Sequence, residues 1–139
     1  MNDVSGRWSE ASAPSLDDLA ALAEAAFAAL PEAFRAAAGH LVFRVDDFPS
    51  DEVLEDLGIE DAFELTGLYQ GVDLIRRSMF DPAPAASRVF LYRRPILDEW
   101  AERGDVTLGE LVSHILVHEI GHHMGLSDAD IDIIEARQE

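Results

Sequence analysis

The chain contains no cysteine and no lysine, and only ten basic residues, all arginine, against 28 carboxylates. Without cysteine there are no disulfides, thiol nucleophiles, iron–sulfur clusters or thiolate zinc sites. Any metal site must be built from His, Asp and Glu. The net charge of −18 argues against nucleic acid and against an anionic membrane surface, since both are held by Lys and Arg. No apolar run is long enough to span a bilayer. Met1 to Pro14 shows no basic start followed by an apolar stretch, so no signal peptide is read there, and the expected location is cytoplasmic.

What is present suits one folded domain. The 139 residues are 48% hydrophobic, too apolar for an acidic disordered tail. A chain of this size buries about 68–70% of its unfolded surface. Residues 1–14 read as a flexible leader and residues 15–139 as the domain. Five arginines (Arg76, Arg77, Arg88, Arg93 and Arg94) fall in one stretch and reverse the local sign of charge.

Ser15 and Asp18 form a capping box for a helix running to about Leu30. Pro31 suits the first turn of a second helix, closed by Gly39. Leu41 to Val45 and Leu65 to Tyr69 are strand candidates, and Glu52 to Leu57 is a short amphipathic piece. Asp81 to Ser87 is turn-rich. Arg88 to Arg93 is the strongest strand, stopped by Pro95. Ile96 to Glu102 is a short helix burying Trp100. Thr107 with Glu110 caps a helix to about Met124. Gly125 fits its left-handed end, and Ser127 with Asp130 starts a last helix.

The helix from Thr107 carries the chemistry. His118 and His122 are four residues apart, one turn of the same face, in reach of one ion. Glu119 projects about 100° round from His118, which suits a base beside a metal better than a ligand. The helix is apolar almost all round and therefore buried. Two imidazoles and a carboxylate are costly in such a place unless bonded or bound to metal. A catalytic zinc takes three protein ligands and leaves a fourth position for water. Gly125 can reverse the chain, and Asp128 is then placed to complete the set. Gly121 leaves room for another segment to pack close. His114 also lies four residues before His118, so a His114–His118 pair satisfies the same spacing but lacks the glutamate in register. His123 points away from the pair, and His40 is a loop residue.

The pattern His118-Glu119-x-x-His122-x-x-Gly125-x-x-Asp128 resembles the zincin metallopeptidases, in a chain similar to the short bacterial "minimal zincin" family. Val45 to Pro49, Leu68 to Val72 and Val89 to Ile96 also resemble that family's segments, so the likeness covers roughly 15–137. It implies an α+β fold: a single zincin-like domain, with a small twisted mixed sheet packed on helices, the active-site helix and a short C-terminal helix. It implies one Zn2+ on His118, His122 and Asp128. It also implies a metallopeptidase that hydrolyses peptide bonds through a zinc-activated water, with Glu119 as general base. Two departures bear on the third ligand. Metzincins use His there and have a following Met-turn, which this chain lacks. Gluzincins take a glutamate from a later helix, for which Glu135 is a candidate at short distance.

The substrate expected is a peptide or protein, paired along strand 88–94, with Arg93 and Arg94 attracting acidic side chains or else balancing nearby carboxylates. Tyr92 is a candidate for oxyanion stabilisation or a core aromatic. The competing readings are a non-catalytic zinc-binding interaction module derived from a zincin, and a hydrolase of non-peptide amides or esters.

Overall fold

The structure is a computed structural model, and it describes residues 8–71 and 87–136. Helix α1, Leu16–Ala28, opens on the reciprocal bonds of the Ser15–Asp18 box, 3.0 and 2.9 Å. Helix α2, Glu32–Ala38, follows Pro31 and ends at Gly39. Strand β1, Leu41–Asp46, leads to helix α3, Asp51–Leu57, capped by Ser50. A 3-10 turn at Ala62–Glu64 precedes β2, Gly67–Gln70. The expected loop at 81–87 lies outside the described residues except for Ser87, where β3 begins and runs to Tyr92.

Pro95 does not stop the strand. Helix α4, Arg93–Arg103, has already begun two residues earlier, and Pro95 sits in its first turn, where the missing N–H has no partner to lose. Trp100 is half-buried on this helix and donates from Nε1 to the Val106 carbonyl at 2.9 Å, which holds the turn that follows.

The sheet is mixed, in the order β1-β3-β2. β1 runs parallel to β3, with Phe43 opposite Val89, and β2 runs antiparallel to it, with Tyr69 opposite Val89. β3 is therefore central, and Val89 and Leu91 are fully buried. Helix α1 covers β1, with Phe27 edge-on to Phe43 at 5.7 Å. Helix α5, Leu108–His123, packs on α1, β2 and β3. Gly67 permits the approach to β2: a Cβ there would come within 2.9 Å of Ile115.

The core is shared between these layers. Leu19, Leu91, Ile96, Val112, Leu116, Val117 and Ile120 are closed to solvent. Burying each such Leu, Ile or Val stabilises the fold by about 1.5–3 kcal/mol. Most of them lie on α5, so the helix that carries the histidines is also the one held most firmly. Among the described residues, no helix is long and apolar enough to cross a membrane.

Candidate metal centre

Three local signals set the helix and its return. The Thr107 hydroxyl accepts the Glu110 N–H at 3.1 Å and satisfies a first-turn donor. At the other end Leu126 N–H donates to the Gly121 carbonyl and Gly125 N–H to that of His122, both at 3.0 Å. This is a Schellman turn, and its left-handed residue is Gly125, at φ +79°. Ser127 and Asp130 then exchange bonds of 3.1 Å and start helix α6, Asp128–Ala136. The chain folds back on itself, and α6 lies against α5.

Gly121 sets how near α6 comes. A Cβ there would stand 3.0 Å from Ile131 Cγ1, and Ile131 is fully buried. The close packing expected at this glycine is thus packing against the last helix. It brings the α6 carboxylates to the histidine face.

The structure gathers the residues singled out by the sequence. One donor atom each from His118, His122 and Asp128 lie within 4.8 Å of one another. His122 Nε2 is 3.2 Å from Asp128 Oδ1. Two ligands at 2.0–2.1 Å from a tetrahedral zinc are about 3.3 Å apart, which is the spacing of this pair. His118 is partly buried, while His122 and Asp128 open to solvent.

The charges are tuned in the same direction. Burial and then His114 hold the His118 imidazole below its usual range, against the pull of Glu135 and Asp128. That favours the neutral ring, the form that binds a metal. Burial pushes the Glu119 carboxyl up, while His122 and a hydrogen bond from the Tyr69 main-chain N–H act to lower it. Glu119 thus sits between the histidine pair and β2.

The other histidines separate as follows. His123 stacks on Tyr69 with ring centroids 4.2 Å apart, and burial, then His122, lowers its affinity for a proton. His40 is exposed in a loop. His114 stays on the site face, and a second donor group of His114, His118 and Glu135 also lies within 4.8 Å. The sequence contained each half of this group, the i, i+4 spacing and the late glutamate. Only the angle of α6 joins them.

The strand next to the site needs a correction. β3 is hydrogen-bonded to β1 on one side and β2 on the other, and residues 93 and 94 belong to α4. No backbone edge is left along 88–94 to receive a peptide. Arg93 bonds the Pro14 carbonyl and pairs with Asp47 at 3.2 Å. Arg94 stands over the Phe48 ring, 5.7 Å from its centre. Arg93 therefore balances a carboxylate. Arg76 and Arg77 lie outside the described residues. Tyr92 is 2% exposed, and burial and then Asp46 push its phenol up, which suits its core role.

A buried helix bearing paired histidines, a neighbouring glutamate and a carboxylate brought back by a tight turn gives a small α+β domain with a candidate metal site. Residues 38–138 match the zincin-like metallopeptidases, and the chain belongs to that family. The family is one of zinc metallopeptidases, and the chain is placed among them at that level. No curated protein matches the chain.

Proposed function

We propose that the protein is a zinc-dependent endopeptidase in which His118, His122 and Asp128 hold one Zn2+ and Glu119 is the general base. The observation that carries this reading is the convergence of those three donor atoms within 4.8 Å, on the same helix as Glu119. Zinc there would supply Lewis acidity toward the scissile carbonyl and its attacking water.

The rest is done by the chain's own groups. Glu119 takes the proton of the attacking water and delivers it to the leaving amine. Its burial raises its basicity, which suits proton transfer near neutral pH. The Tyr69 N–H that reaches Glu119 is not spent on β3. It belongs to the outer edge of β2, which no other described strand covers. An extended peptide added along Gly67–Gln70 would bond the outward main-chain groups other than the Tyr69 N–H, which Glu119 already takes, and would pass beside the base. We therefore place the substrate on β2 rather than on β3. Nucleic acid and membranes remain outside the proposal on grounds of charge.

Metal analysis with a peptide-library cleavage assay tests this. One zinc per chain is expected, with cleavage abolished by chelator and restored by zinc. Glu119→Gln should keep the zinc and lose turnover. Cleavage that persists in that variant removes Glu119 from the mechanism, and a zinc-loaded wild type that cleaves no peptide would favour the interaction module.

A further inference from the structure

One turn up α5 is a second set of donors, of which the peptidase reading uses only His118. Glu135 Oε1 lies 2.8 Å from His114 Nδ1 and 3.4 Å from His118 Nε2. The oxygen is buried and has no hydrogen-bond partner, although the His114 ring nitrogen is close. A carboxylate oxygen in that condition is costly. A cation among the three donors removes the cost. The 3.4 Å separation is again that of two ligands on a tetrahedral zinc, and the 2.8 Å one has to open by roughly half an ångström to match it.

The set is also accessible. His114 and Glu135 line a cavity of about 740 Å³, with Leu22, Ala26, Gly109 and Leu111 among its other walls. A hydrated ion can enter there and keep water ligands. The charge that acts on Glu119 is that of His122, so the base belongs to the lower set. His118 is common to both sets, and a metal on one takes a ligand from the other.

We propose that His114, His118 and Glu135 form an alternative position for a single divalent ion of the imidazole-binding kind, zinc above all. An ion there is retained but stands away from the base. It reaches His122 and Asp128 by keeping His118 and exchanging the other two ligands, so the upper set is a holding position for the metal. This rests on the lower set being the working site, as proposed above.

The test is zinc binding to the full chain, followed by isothermal titration and by the visible spectrum of the Co2+-loaded protein. The four exchangeable ligands are partly or largely exposed, and circular dichroism checks that each variant is folded. Wild type should take one zinc. His122→Ala with Asp128→Ala should still take one, weakened no more than about 100-fold, the size of an outer-sphere substitution, and with a changed Co2+ spectrum. His114→Ala with Glu135→Ala should take one zinc at the lower set. All four together should take none. If the folded His122/Asp128 variant binds no zinc, and neither does the milder His122→Gln/Asp128→Asn pair, His114 and Glu135 are only an ion pair and the proposal falls. Two zincs in wild type would overturn the sharing of His118. If zinc is instead lost with His114 and Glu135 but kept without His122 and Asp128, the ligand assignment of the peptidase reading fails.

Discussion

Gly121→Ala measures how tightly the last helix is seated. On an open helix the change stabilises, because Gly is about 1 kcal/mol worse than Ala. Here the new Cβ would stand 3.0 Å from Ile131 Cγ1, 3.1 Å from Cδ1 and 3.7 Å from Leu126 Cδ1. Carbon atoms rest at about 3.5–4.0 Å, so the first two contacts are too short by roughly half an ångström. Ile131 is fully buried and cannot turn out into solvent. Overpacking of this kind costs about 1–3 kcal/mol. Set against the helix gain, it leaves a loss of about 0–2 kcal/mol. At this chain length 1 kcal/mol moves Tm by about 3–4 °C. Scanning calorimetry of the metal-free protein should therefore show Tm unchanged or lowered by up to about 7 °C. Ile131→Val removes Cδ1 and should relieve part of the strain, giving a coupling of about 0.5 kcal/mol or more in the double-mutant cycle. Asp128 and Glu135 ride on the displaced helix, so zinc affinity should fall too. A Tm raised by about 3 °C, the full helix gain, refutes the close approach.

Three further outcomes are expected. Glu119→Gln should lower kcat/KM by about 10²- to 10⁴-fold with zinc content unchanged, read by peptide cleavage and metal analysis. Ser127→Ala removes the hydroxyl that caps α6 and should cost about 1 kcal/mol in urea unfolding, with weaker zinc binding because Asp128 starts that helix. Tyr92 has its phenol pushed up in the folded chain. The folded state thus holds the proton longer than the unfolded state, and stability is complete below the ordinary tyrosine range and is lost as pH rises through it. Urea midpoints should fall more steeply above about pH 10 in wild type than in Tyr92→Phe, and equal slopes would remove Tyr92 as the cause.

The legible and illegible parts of this fold differ in range. The ends of α1, α5 and α6 were legible because Ser15, Thr107, Gly125 and Ser127 act within four residues of themselves. The pairing of His118 with His122 follows from helical periodicity alone. The order of the strands depends on contacts between distant segments, and residues 88–92 looked like a free strand because nothing local in them records the two partners they acquire. Pro95 suits a strand stop and a first helical turn equally, and only the neighbouring strand ends decide between the two. The nearness of Glu135 to the histidines is not legible, because its separation from His122 along the chain says little about reach. The distance is set by how far Ile131 sinks onto Gly121.

The seating of α6 by one tight turn has a thermodynamic consequence. The donors on α5 and α6 lie close together in the chain, so gathering them around an ion closes only a short loop and forfeits little chain entropy. Most of the buried side chains, from Leu19 to Ile120, come from elements before that turn. Metal binding and core formation are then nearly separate cooperative units. Stripping the ion should speed amide exchange in 126–136 while leaving the slowest amides of β3 and of α5 before Gly121 at their former rates.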